Sequence, residues 1–146
     1  MYKKILVPLD GSELAEAVLP HAEALAKSEG AEIVILRVAV TPDSRMFSRN
    51  PALATNIVKE VEEETEEYIK AEVSKLRDEG VKVSGLTRDG YVPDMILSVA
   101  DETHADVIAM STHGRSGITR WLMGSVADRV VQHSHIPVML IHPSPN

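Results

Sequence analysis

The chain begins MYKKILVPLDGS, residues 1–12, and the reading of this stretch decides the fold. Two lysines ahead of an apolar run are also how a secretory signal peptide starts. Pro8 and Asp10, however, limit the run to about five residues, shorter than the apolar segment such a signal requires. Ile5 to Leu9 therefore reads as a first β-strand, ended by the loop ProLeuAspGlySer, residues 8–12, and a cytoplasmic chain is expected.

The same kind of run recurs at intervals. Glu32 to Val40, Val81 to Thr87, Asp106 to Ser111 and Pro137 to His142 read as four further strands. Most are near-continuously apolar, as parallel strands covered on both faces are. Amphipathic stretches separate them. Ser12 can cap a first helix with a stripe of Leu14, Val18, Ala22 and Leu25 and with Gly30 past its end. Pro20 within that stripe predicts a kink or two short pieces. The longest helix buries Ile57, Val61, Thr65, Tyr68, Ile69, Val73 and Leu76, and the glutamates of EVEEETEEY read as its solvated face. A third helix starts near Val92–Pro93 and carries Ile96, Leu97, Val99 and Ala100. A fourth spans about Trp121 to Gln132. Residues 41–51 form the one long connection, expected to be mobile. The order βαβαβαβαβ implies a three-layer α/β domain with right-handed crossovers. Two doubly wound sheet orders suit it, 3-2-1-4-5 and 2-1-3-4-5.

Bulk properties narrow the function. The 146 residues suit one domain, and 44% apolar with 25% charged residues is ordinary for a soluble globular protein. No apolar run approaches a bilayer's thickness, so no membrane partner is expected. The absence of cysteine excludes disulfides and thiolate chemistry. A formal net charge of −7 argues against nucleic acid as a partner, yet leaves room for a small anion held by local arginines and backbone N–H groups.

In an open α/β sheet, ligands bind beyond the carboxyl ends of the strands, where strand order reverses. In the 3-2-1-4-5 order that point lies between the first and fourth strands. The two most distinctive loops follow those strands: residues 8–12, and STHGRSGITRWLMGS, residues 111–125. The second has no lysine and is not a P-loop. Its Gly114 and Gly117 permit close approach of backbone to ligand. Ser111, Thr112, Ser116 and Ser125 offer hydroxyls, Gly124 and Ser125 sit where helix N–H groups can face an anion, and Arg115, Arg120 and Arg129 supply positive charge. The alternative is a strand-to-helix connection that uses glycine for turns alone. Asp10 can accept from a ribose hydroxyl or help Ser12 cap the first helix, and His113 can meet a phosphate or merely occupy a turn. No nucleophile–base–orienter set is visible, so no catalytic residue is assigned. His133, His135 and His142 match no zinc spacing, and no protein-held metal is expected.

These residues resemble the universal stress protein family, in its ATP-binding subgroup, over nearly the whole chain, read as a single domain, 1–146. The matching segments are KKILVPLDGSELAEAVLPHAEALA (3–26), ILRVAV (35–40), GYVPDMIL (90–97), STHGRSG (111–117) with GSVADRVV (124–131), and HIPVMLI (135–141). The family's nucleotide motif is G-x-x-G, nine residues, then G followed by Ser or Thr. Here nine residues, Arg115 to Met123, separate Gly114 from Gly124–Ser125, and Ser111 stands where the first glycine would be. The resemblance implies a doubly wound five-stranded parallel sheet in the order 3-2-1-4-5, adenine nucleotide alpha hydrolase-like and Rossmann-like. It implies adenine and ribose contacts near Pro8, Leu9, Asp10 and Val38, and phosphate contacts from Gly114, Gly124, Ser125 and their neighbours Ser111, His113, Arg115, Gly117 and Val126. ATP is the implied ligand, with Mg2+ or Mn2+ held mainly by its phosphates and at most slow hydrolysis. A homodimer through the last strand, Pro137 to His142, is implied as well, and an apolar strand at a sheet edge invites such pairing. Two alternatives stand beside this reading. An adenylating enzyme of related fold would carry S-G-G-x-D-S or H-I-G-H after the first strand, where PLDGS is found. A dimeric interaction protein that binds no nucleotide is favoured by Ser111 alone.

Overall fold

In a computed structural model of the chain, residues 1–39, 49–112 and 120–143 are described, with the side chains of 120–123 outside that description. Strand β1, Lys4–Leu9, is followed by the short helix α1, Glu13–Glu16, and by α2, Leu19–Glu29. Then come β2, Glu32–Ala39; α3, Pro51–Asp78; β3, Val83–Asp89; and α4, Val92–Thr103. The chain closes with β4, Val107–Ser111; α5, Arg120–His133; and β5, Val138–Ile141.

All strand pairs are parallel, and the sheet runs β3-β2-β1-β4-β5. Of the two orders open to the sequence, the first is therefore the one adopted. Helices cover both faces. Ile5, Val7, Ile33 and Ile35 pack under α1, α2 and α3, while Leu6, Leu36, Ile108 and Met110 pack under α4 and α5. Each such side chain, fully buried, contributes about 1.5–3 kcal/mol relative to exposure.

Local chemistry accounts for the boundaries. Ser12 Oγ accepts the Ala15 N–H at 3.1 Å and so caps α1. Pro20 falls in the first turn of α2, where its missing N–H costs nothing, and the expected break lies just ahead of it. Asn50 caps α3 and Pro51 opens it, so the long connection ends there; its residues 41–48 lie outside the described ones. The third strand begins two residues later than its apolar run. Val81 is buried, but its N–H bonds the Leu76 carbonyl at 3.2 Å and closes the end of α3. At its other end β3 continues through the polar Arg88 and Asp89, which pair with Val38 and Ala39.

Candidate functional site

The site begins with the way β1 parts from β4. The Lys3 carbonyl accepts from Glu32 on the β2 side at 3.0 Å, and the Lys4 carbonyl accepts from Asp106 on the β4 side at 2.9 Å. Backbone groups alternate sides along a parallel strand, so Leu6 and Pro8 face β4 as well. Pairing with β4 is seen at Ile5 and Leu6 and then stops, while pairing with β2 runs on through Leu9. Pro8 is the reason: it has no N–H to offer β4. At the opposite end the same two strands are stapled, because Asp106 Oδ2 accepts the N–H groups of both Lys3 and Lys4 at 2.8 and 2.9 Å. Those bonds hold the Asp106 carboxyl below its ordinary range. The sheet is thus closed at its amino end and open at its carboxyl end, at the reversal of strand order.

Asp10 stands at that opening. Its Oδ1 accepts from the Ser12 N–H at 2.9 Å and the Ser12 hydroxyl at 2.5 Å, and Ser12 in turn caps α1. The carboxylate braces the turn with one oxygen, and no described residue bonds the other. Supporting the cap and receiving a ligand hydroxyl are therefore compatible roles for Asp10. Beside it a cleft of about 280 Å³ is bordered by Leu9, Asp10, Leu36, Val38, Thr65 and Val92. Val38 packs, half-buried, against the α4–α5 side of the core, and Val126 joins the same cluster. Pro8, Leu9 and Asp10 at the end of β1 and Val38 on the neighbouring β2 are brought to one place.

The β4 half is described in part. Ser111 is fully buried, and its hydroxyl donates to the Ala15 carbonyl at 3.1 Å. Its proton therefore ties the end of β4 to α1. Thr112 is also buried, and its N–H bonds the Ile141 carbonyl at 2.9 Å. His113, Gly114, Arg115 and Gly117 lie outside the described residues, as does Ser116. Because α5 begins at Arg120, Gly124 and Ser125 fall in its second turn, beyond the first four N–H groups that a helix leaves unpaired. A Cβ built on Gly124 would meet no described atom within 4 Å, which leaves space for a close approach. Arg129 is turned to the start of α4, with Nε 3.6 Å from Asp94 Oδ1 and its guanidinium 5.6 Å from the Tyr91 ring centroid.

Two features of this region go beyond the residues expected from sequence. Arg37 borders both the 280 Å³ cleft and a second, open one of about 480 Å³ that Asp10, Gly11 and Tyr68 also line. Glu72 is buried among the apolar residues of α3. Both had a signal. Arg37 shares a strand face with Ile33 and Ile35, and Glu72 continues the helical spacing of Thr65, Ile69 and Leu76.

A parallel sheet opened by a proline at its switch point defines a doubly wound α/β protein with a small-ligand crevice. The chain belongs to the universal stress protein family, whose model matches residues 1–142. It is 35% identical to universal stress protein MJ0531 of Methanocaldococcus jannaschii over 144 residues, covering 97% of this chain and 82% of that one. Universal stress protein G of Escherichia coli O157:H7 is 32% identical over 145 residues, covering 97% and 99%. Among solved structures, MJ0577 superposes with a TM-score of 0.83 at 29% identity, covering 100% of this chain and 99% of that one. A universal stress protein from Archaeoglobus fulgidus, solved in complex with dAMP, shares the fold at a TM-score of 0.66 and 24% identity, covering 96% and 98%.

Proposed function

We propose that the crevice between β1 and β4 binds ATP and that the protein acts as a nucleotide-dependent stress-response or regulatory dimer rather than as a dedicated catalyst. The observation that carries this reading is the parted sheet, with Asp10 and the Val38 wall at its opening and the buried Ser111 and Thr112 at the end of β4. Adenine lies against Leu9 and Val38, and the ribose hydroxyls donate to Asp10. The phosphates meet the loop from Ser111 to Ser125 at Gly114, Gly124 and Ser125, with His113, Arg115, Gly117 and Val126 beside them. Mg2+ or Mn2+ sits mainly on phosphate oxygens, since a triphosphate supplies the hard oxygen ligands these ions take. Ser111 contributes by anchoring the loop to α1, not by donating to phosphate. The Archaeoglobus protein of the same fold is solved in complex with dAMP, an adenine nucleotide.

Dimerisation through β5 belongs to the same proposal. Val138–Ile141 is the last strand of the sheet and lies half-buried in the single chain. A second copy would satisfy its free edge isologously.

Equilibrium dialysis against labelled ATP tests the reading with the wild type and with Gly114→Val and Gly124→Val. Saturable binding that both substitutions abolish is the expected result. No saturable binding by the wild type would turn the assignment toward the interaction-protein alternative, and binding unaffected by either substitution would move the nucleotide away from this crevice.

A further inference from the structure

A continuous run of contacts reaches the crevice from the α3 side, and nucleotide binding as described does not use it. Gly11 has φ +89°, and its bare Cα lets the Arg37 guanidinium lie so close that a Cβ there would be 3.3 Å from Cζ. The same Cζ lies 4.8 Å from the Tyr68 ring centroid, a cation–π distance. Glu64 also approaches Arg37, at 3.7 Å, but its side chain is 74% exposed and holds it weakly. Tyr68 Oη donates to Glu16 Oε1 at 2.8 Å and thereby joins α3 to α1.

Beyond Glu16 lies Glu72. Its Oε2 is buried without a hydrogen-bond partner, a costly state for an ionised carboxylate. Two carboxylates cannot bond each other, but a carboxylic acid can donate to a carboxylate. Burial first, and then the Glu16 carboxyl, push Glu72 up to about 6 against the opposing pull of Lys75. The Tyr68 phenol is pushed above its ordinary range by burial and by Glu16, so it remains a donor. The titratable and charged groups around this cluster are Asp10 after β1, Glu16 on α1, Arg37 on β2, and Glu64, Glu67, Tyr68, Glu72 and Lys75 on α3.

We propose that Arg37 is a positioning residue of the crevice, pressed against the Asp10–Gly11 turn, and that a proton shared by Glu72 and Glu16 holds it there through Tyr68. With the proton present, Glu16 is bonded from both sides, the Tyr68 ring is fixed, and the guanidinium rests on Gly11. When the proton leaves to solvent, two like charges occupy one partly buried space and repel. Glu16 then moves outward, and the ring and guanidinium lose their hold. The consequence for ligand rests on the nucleotide reading: the ribose acceptor Asp10 is pre-organised while the pair is protonated and loosened when it is not.

Two measurements separate the relay from that consequence. The Arg37 Nε–Hε resonance of the ligand-free protein is expected to titrate with a midpoint near 6. It should stop doing so in Glu72→Gln and in Tyr68→Phe. A resonance that stays still between about pH 5 and pH 8, or that titrates unchanged in Glu72→Gln, overturns the proposal. Calorimetric titration with ATP reads the consequence. The nucleotide's own phosphate titrates in this range, so wild type and Glu72→Gln are compared at each pH. At pH 7.5 the variant should bind about fivefold more tightly, with the difference vanishing at pH 5. Arg37→Lys should keep part of that difference, and Arg37→Met should lose it. Equal affinities at both pH values overturn the coupling. A titrating Arg37 resonance with no ATP binding at millimolar nucleotide supports the relay and overturns the nucleotide reading instead.

Discussion

The two faces of the sheet are packed by different means. Among the described residues, the cluster under α4 and α5 is made of Leu6, Val34, Leu36, Ile96, Val99, Ile108, Met110, Ala127 and Val130, with the buried Thr112 at the end of β4 bonded through its own backbone to Ile141. Under α1, α2 and α3 an apolar core of similar make-up also holds the polar Thr65, Glu72 and Ser111. Thr65 is satisfied locally, its hydroxyl donating to the Val61 carbonyl at 2.6 Å. Ser111 instead reaches across to α1, and Glu72 keeps one buried oxygen without a hydrogen-bond partner. One face therefore contributes stability alone, while the other also links helices to the crevice and makes its own stability depend on pH.

Substitution on the apolar face should have the largest effect. Leu36→Ala removes a fully buried side chain and should cost about 2–5 kcal/mol in urea unfolding, by the same amount at pH 5 and pH 7.5. A loss that varied with pH would mean that the faces are not distinct. On the α3 face the sensitive point is a glycine. A Cβ at Gly85 would lie 2.3 Å from Ile69 Cγ2 and 3.0 Å from Val73 Cγ2, so α3 rests directly on the β3 backbone. Gly85→Ala should cost about 1–3 kcal/mol by overpacking.

These contrasts also mark what the sequence could reveal. Five apolar runs and their order were legible because parallel strands are buried on both faces and need no alternation. The proline break ahead of α2 and the cap at Ser12 were legible because they are local. Glu72 gave only a helical spacing, lost among glutamates that do face solvent, and the bond between Tyr68 and Glu16 beside it joins residues 52 apart. Arg37 was hidden in the same way: its partners Gly11 and Tyr68 belong to other elements. Ser111 was legible as a departure from the glycine motif. Its use, a bond to the carbonyl of Ala15, required the α1–β4 packing to be seen. The signal in Pro8 was present from the outset, yet its effect depended on knowing which neighbour its missing N–H faced.

Smaller effects sharpen the difference between the faces. Ser111→Ala removes the hydroxyl bond to the Ala15 carbonyl, which keeps the Val18 N–H at 3.4 Å, and should cost about 1 kcal/mol by thermal or urea unfolding. Glu72→Gln should act with the opposite sign near neutrality. The Glu72 carboxyl has its value raised from 4.5 to about 6 in the folded protein, so the folded chain binds more protons than the unfolded one across that interval. Its contribution to stability is fully present below the lower value and is lost as pH rises through about 6. Wild-type unfolding midpoints should therefore fall modestly from pH 5 to pH 7.5. The fall should be smaller in Glu72→Gln, and a wild-type midpoint that rises through this window would contradict the sign.

The most direct test of the crevice is what it carries when isolated. Freshly purified protein, denatured to release small molecules and examined by mass spectrometry, should yield an adenine nucleotide in near-stoichiometric amount, and Gly124→Val should yield none. Recovery of no nucleotide from the wild type, together with no ATP binding at millimolar concentration, would contradict a nucleotide site between β1 and β4.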